Sequence, residues 1–379
     1  MNDTPLSHPA LLPVGLRDIL PPEAELEARS VEAIMDCFAA HGYERVKPPL
    51  LEFEDSLFAG SGGATAEQTF RLMDPESQRM MGLRADTTPQ IARLAATRLS
   101  ASPRPLRLAY AGQCLRVRGT DLEPERQIAQ AGIELIGLDA ATADAEIILT
   151  AIEALEAVGL TQLSVDLTVP RLVPDLVDAK LGPVQPAALS RALDRKDSAG
   201  VAEHGGAAAP VLLALLEASG LAERAIPALL AMDLPAPAKA QITRLAETVT
   251  VLRAARPELK LTIDPVEFRG YQYHTGICMT VFAAGEQAEL GRGGRYLCDN
   301  EPATGITLYP DTITRLAPQP KLRPRLYVPY GTKAEDAVSA RAQNFATING
   351  LAPHPDPRAE ARRLGCSHVF SDGQIVPLA

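Results

Sequence analysis

The chain has 379 residues, 46% of them hydrophobic, no Trp and a formal net charge of −10, which is enough for a full core and two or three domains. The acidic balance argues against a nucleic-acid partner, since proteins that track a phosphate backbone carry a basic excess. MNDTPLSHPALLP lacks the basic and apolar regions of a secretory signal, and the longest apolar run, AAAPVLLALL at 207–216, is shorter than the roughly 18 residues of a membrane helix. A cytoplasmic protein with no membrane contact is the expectation.

EAELEARSVEAIMDCFAAH at 23–41 places Leu26, Ser30, Ile34, Cys37, Phe38 and His41 toward one side at helical spacing, which predicts an amphipathic helix closed by Gly42. In GYERVKPPLLE the paired Pro48 and Pro49 rule out a central strand and predict an edge or a turn. From RLMDPESQRMMGLRAD through PLRLAYAGQCLRVRG to RQIAQAGIELIGLD, polar and apolar residues alternate around the DPES and GTDLEPE turns, the pattern of antiparallel sheet. In the last of these strands Gln130, Gly132 and Glu134 share one face, with Gln130 and Glu134 about 13 Å apart along the chain. They can converge on the two ends of a small ligand, with Gly132 leaving room between them. A plain solvated face fits the same spacing equally well.

Between LSVDLTVP (163–170) and LKLTIDP (259–265), an Ala- and Leu-rich block broken by Pro and Gly predicts a helical insertion over 170–257 within a sheet domain of residues 1–320. RGYQYHTG at 269–276 sets Arg269, a planar fork suited to a carboxylate, near Tyr273 and His274, whose ring edges can pair with a small polar ring. Aromatics that merely pack where a strand enters a sheet give the same string. GRGGR at 291–295 lacks the GK[ST] ending of a phosphate loop and reads as a close-packed turn. After Pro320, KLRPRLYVPYG, a helix in EDAVSARAQNFATING and short strands make a small αβ appendix, 321–379.

Five cysteines lie far apart without a CxxC pair, and six histidines form no HxxxH or HExxH spacing. Reduced, mostly buried thiols and neither metal nor cofactor are expected.

GLRDILPPE, GYERVKPPLLE, LRADTTPQIAR, YAGQCLRVR, QIAQAGIELIG, RGYQYHTG and LGRGGRY occur in the order and approximate spacing of histidyl-tRNA synthetases, which the chain resembles from residue 13 to about 308. The resemblance implies an α+β, class II synthetase-like fold, an antiparallel sheet flanked by helices. It also implies a pocket for free histidine: Asp86, Thr88 and Gln130 at the amino group, Glu134 at the imidazole, Arg269 beside the carboxylate. Tyr273 and His274 fall where the family carries a Tyr-Tyr pair.

Two departures from that family bear on activity. Arg116 matches the arginine of an ATP site, but Arg118 and Gly119 follow where an acidic residue belongs. In ATGITLYPDTITRL, Tyr309, Pro310, Asp311 and Thr312 stand where an acidic residue and a second arginine should close the site, and Pro310 is expected to disrupt the helix that begins there. Without that arginine the adenylate transition state loses its main electrostatic support, so no catalysis is expected and Arg116 is vestigial. The appendix begins like the family's anticodon-binding domain at about half its size. A histidine pocket kept without ATP or anticodon binding resembles the synthetase-like regulatory subunits of ATP phosphoribosyltransferase. That resemblance implies a short-form catalytic subunit as partner at the first step of histidine biosynthesis, histidine as feedback effector, and a homodimer built on the 23–41 helix and its Pro48-Pro49 strand. The alternatives are an active, trimmed histidyl-tRNA synthetase, or a synthetase paralogue acting on another amino acid or on a protein.

Overall fold

Leu26, Ile34, Met35 and Phe38 bury one side of the helix Glu23–Ala40. Gly42 closes it at φ +79°, a left-handed turn that glycine makes without a Cβ clash, and Tyr43 N–H donates back to the Phe38 carbonyl. His41, expected on the buried side, is exposed, because it caps the helix after the apolar stripe has ended; Met35 is buried in that stretch instead.

The computed structural model describes residues 11–119, 124–180, 186–267, 273–283, 288–318 and 322–378. It divides into two compact units, Met1–Pro318 and Gln319–Ala379. In the first, a sheet of nine strands runs in the order Glu44–Arg45, Leu106–Leu115, Gln127–Ile136, Glu301–Leu308, Glu289–Cys298, His274–Ala283, Leu163–Thr168, Lys260–Asp264 and Gly220–Leu221. Its neighbours are antiparallel except at two places, Glu44–Arg45 beside Leu106–Leu115 and Leu163–Thr168 beside Lys260–Asp264. The Glu44–Arg45 strand is an edge and stops before Pro48, as a residue without an N–H requires. A smaller sheet joins Leu51–Phe53, Met80–Leu83 and Arg71–Met73.

Alternation in the strand Gln127–Ile136 divides two cores. Ala131, Ile133 and Leu135 face the main core with the helices Glu23–Ala40 and Ala141–Ala157, and each fully buried Ile or Leu there contributes roughly 1.5 to 3 kcal/mol. On the other face the helix Thr88–Ala96 lays Ile91 and Ala95 against Leu108, Tyr110, Ile136 and Tyr296. Sequence alternation gives no sign of this nine-residue helix, which begins with Pro89 in its first turn, where the missing N–H costs nothing. Because it covers the sheet, the face carrying Gln130 and Glu134 is buried rather than solvated.

Three further expectations are corrected. GRGGR is no turn: it lies inside the strand Glu289–Cys298, where the glycines let strands approach, a Cβ on Gly293 falling 2.0 Å from the Gly305 carbonyl oxygen. Pro310 does not disrupt a helix; it occupies the first turn of the helix Pro310–Leu316, where a missing N–H costs no hydrogen bond. In the second unit the helix Ala334–Ala342 ends earlier than its sequence suggested, Ala346–Asn349 is a strand, and Pro357–Arg363 forms another helix. The two helices flank a four-stranded sheet ordered Ala346–Asn349, Arg325–Val328, His368–Ser371, Gln374–Pro377. Between Leu163–Thr168 and Lys260–Asp264 the first unit carries six helices among its described residues, from Leu172–Lys180 to Ala236–Ala255.

Candidate functional site

Asp86 ends the turn after the strand Met80–Leu83, and its Oδ1 accepts the Thr88 N–H at 3.4 Å as the helix Thr88–Ala96 begins. The Gln130 side-chain oxygen accepts the Thr87 N–H at 3.0 Å and the Cys114 thiol at 3.1 Å. Two residues apart on the same face, Gly132 and Glu134 follow. The Thr88 hydroxyl donates to Glu134 Oε1 at 3.0 Å, and the Tyr296 hydroxyl donates to Glu134 Oε2 at 3.0 Å. Tyr110 continues the network, 3.3 Å from the Thr88 hydroxyl and 2.7 Å from that of Thr307.

One crevice is lined by Asp86, Thr88, Gln130, Glu134, Tyr273 and His274, together with Arg292, Tyr296, Thr307 and Tyr309. It encloses about 380 Å³ counting its open mouth. The Tyr273 ring stacks at a tilt on His274, 4.6 Å between centroids, and meets Tyr296 edge-on at 5.9 Å.

Burial sets the electrostatics. Glu134 is 2% exposed, and loss of water pushes its carboxyl up to about 8; the hydroxyls of Tyr296 and Thr88 oppose the rise and Asp86 adds to it. His274 is driven the other way, down to about 4, by burial and then by the positive charge of Arg292. Near neutral pH the crevice therefore holds a neutral imidazole and a carboxyl that readily keeps its proton.

The family model for histidyl-tRNA synthetase matches residues 15–313. A protein of Paramagnetospirillum magneticum named ATP phosphoribosyltransferase regulatory subunit is 55% identical over 375 residues, covering 98% of this chain and 99% of its own. The chain belongs to the ATP phosphoribosyltransferase regulatory subunit family. A solved structure from Bacillus halodurans, described as an ATP phosphoribosyltransferase regulatory subunit/histidyl-tRNA synthetase, aligns with a TM-score of 0.79 at 25% identity over 96% of this chain and 97% of that one. The histidyl-tRNA synthetase of Nostoc sp. PCC 7120, at 18% identity and a TM-score of 0.77 over 95% of this chain and 90% of that one, shares the fold. The family's fold is thus α+β and class II synthetase-like.

Of the residues expected in the pocket, Asp86, Thr88, Gln130, Glu134, Tyr273 and His274 come together, and Arg269 lies outside the described residues. Arg116 is not among the residues lining the crevice; its N–H donates to the Arg126 carbonyl at 2.7 Å, and its Nε is buried with no hydrogen-bond partner among the described residues. Gly132 has a different role from the one its position suggested. It stands opposite Tyr110, whose hydroxyl would lie 2.5 Å from a Cβ there, so the room it leaves is filled by a tyrosine rather than kept for a ligand. Sequence reasoning missed Tyr110, Arg292, Tyr296 and Thr307. The period-2 alternation of LGRGGRY was the available signal, since it sets Arg292, Gly294 and Tyr296 on one face.

Proposed function

We propose that the crevice binds free histidine and that the chain is the regulatory subunit through which histidine controls a short-form ATP phosphoribosyltransferase, without adenylating activity of its own. The observation that carries this reading is the convergence of Asp86, Thr88, Gln130, Glu134, Tyr273 and His274 on one crevice in a chain of the regulatory-subunit family. The Asp86 carboxylate suits an ammonium, and the Gln130 oxygen, already turned to the Thr87 N–H, holds the strand beside it. Glu134, with its carboxyl pushed up to about 8, can give a proton to an imidazole nitrogen or share one with it. Arg269 is the proposed partner of the ligand carboxylate. Each charge-assisted contact contributes roughly 1.5 to 3 kcal/mol, so a few suffice for micromolar affinity after association costs.

The ATP side argues against adenylate formation. Where an arginine would clamp phosphates, Asp311 accepts the Ala129 N–H at 2.9 Å. A carboxyl held there by the backbone offers no positive charge to a phosphate. The reading extends to a homodimer across the Glu23–Ala40 helix, a cytoplasmic location, and the second unit as a reduced anticodon-binding domain that contacts no nucleic acid. No helix among the described residues is long and apolar enough to cross a membrane. Calorimetry of histidine into the purified chain, alongside histidine-dependent pyrophosphate exchange, tests the proposal. Binding without exchange is expected; measurable exchange, or no histidine binding, would sink it.

A further inference from the structure

Away from the crevice, three side chains of metal-binding type meet on the surface between two helices. Cys37 and His41 are one turn apart in the last part of Glu23–Ala40 and its cap, and residues four apart share a helix face. Glu153 comes from Ala141–Ala157, which packs against that helix. One ligand atom from each residue, thiol sulfur, imidazole nitrogen and carboxylate oxygen, lies within 4.8 Å of the other two. The His41 Nε2 to Glu153 Oε2 distance is 2.7 Å.

We propose that Cys37, His41 and Glu153 bind a divalent cation of the zinc class. A tetrahedral zinc with bonds of roughly 2.3 Å to sulfur and 2.0 to 2.1 Å to nitrogen and oxygen sets its ligand atoms about 3.3 to 3.7 Å apart. The cation therefore slips into the trio by opening the His41–Glu153 hydrogen bond slightly and drawing the sulfur in. His41 and Glu153 side chains are 34% and 42% exposed, so both can make that adjustment. A thiolate with an imidazole selects zinc over magnesium or calcium, which prefer oxygen alone. The position suits a cation for a second reason. The negative end of a helix dipole favours positive charge, and this helix has no basic residue in its last turn. Three protein ligands leave the fourth position to water or to a donor from a partner molecule.

Arg256 is a competing cation on this patch. It lies 3.9 Å from Glu153 Oε1 and pairs with Glu156 at 2.8 Å, so it faces the carboxylate oxygen that His41 does not use. The sequence carries the site only as a Cys-x3-His spacing, with its third member on another helix; a search for histidine pairs or CxxC passes over it.

Cys37 is also the one cysteine of five that is not buried, which supplies a direct readout. Full-length protein without a polyhistidine tag is treated with iodoacetamide with and without zinc, and modified cysteines are located by peptide mass spectrometry. Zinc is expected to bind at one equivalent per chain and to protect Cys37. Cobalt(II) in its place is expected to give a thiolate charge-transfer band that Cys37→Ser abolishes. Glu153→Gln and Cys37→Ser should each weaken zinc at least about tenfold, since even second-shell partners of a metal are worth that much. Equal Cys37 alkylation with and without zinc, or equal zinc affinity in the variants, overturns the proposal and leaves an ordinary His–Glu pair beside a thiol. Should Cys37→Ser fail to fold, protection of the unaltered protein decides alone.

Discussion

Gly305 stands directly across the ladder from Glu134, and a Cβ on Gly305 would lie 1.8 Å from Glu134 Oε2 and 2.7 Å from the Ile133 carbonyl oxygen. The side chain at 134 can lie deep in the sheet only because its neighbour has none. The backbone contact cannot give way even if the carboxylate swings aside. Gly305→Ala should therefore destabilise the chain by about 1 to 3 kcal/mol, the usual cost of overpacking, and weaken histidine binding by displacing Glu134. Urea denaturation and calorimetry on the one variant check both; unchanged affinity would show that Glu134 does not contact the ligand.

The raised carboxyl of Glu134 makes stability depend on pH with a definite sign. Its ordinary value is 4.5, and burial brings it to about 8, so between these values the folded chain holds a proton that the unfolded chain does not. This group's stabilisation is complete below about pH 4.5 and lost as pH rises through about 8. At 1.36 kcal/mol per unit, the span is on the order of a few kcal/mol. Glu134→Gln should lose less stability than the unaltered chain between about pH 5 and pH 8 in urea titrations. Parallel profiles for the two proteins would mean that Glu134 is ionised in the fold at neutral pH.

His274 tilts the profile the opposite way. Its imidazole falls from 6.5 to about 4, so its contribution is present above about pH 6.5 and lost as pH falls through about 4. The expected loss over that window is up to about 3 kcal/mol, and His274→Asn should remove it. Thermal unfolding of both proteins at pH values across the window measures the difference; an unaltered acid limb in the variant would place the titrating group elsewhere.

Elements with a clean period were legible in the sequence, and contacts made across the sheet were not. The 3.6-residue stripe of Leu26, Ile34 and Phe38 marks its helix, and the two-residue alternation of Gln130 and Glu134 puts them on one face. Whether that face was wet or dry depended on the helix Thr88–Ala96, whose start is marked only by Pro89. The depth of Glu134, and hence its proton affinity, depends on Gly305 and Tyr296, two strands of the same sheet that come from distant sequence. Pro310 shows the opposite failure: read as a helix breaker, it starts a helix because the chain reaches it at the first turn. Cys37, His41 and Glu153 become neighbours only when two helices pack.

The most direct test is a histidine titration of the assembled phosphoribosyltransferase, catalytic subunit plus this chain, comparing the unaltered chain with Glu134→Gln. A ligand regulates only through different affinities for the active and inhibited states, so a weakened pocket should move the midpoint and spare the uninhibited rate. Gln keeps the shape but cannot give its proton to the imidazole, so the charge-assisted contact which that transfer creates is lost; at roughly 1.5 to 3 kcal/mol this predicts a midpoint about ten- to a hundredfold higher in histidine, with the rate at zero histidine unchanged. The same midpoint for both proteins would contradict the account and place the histidine sensor outside this crevice.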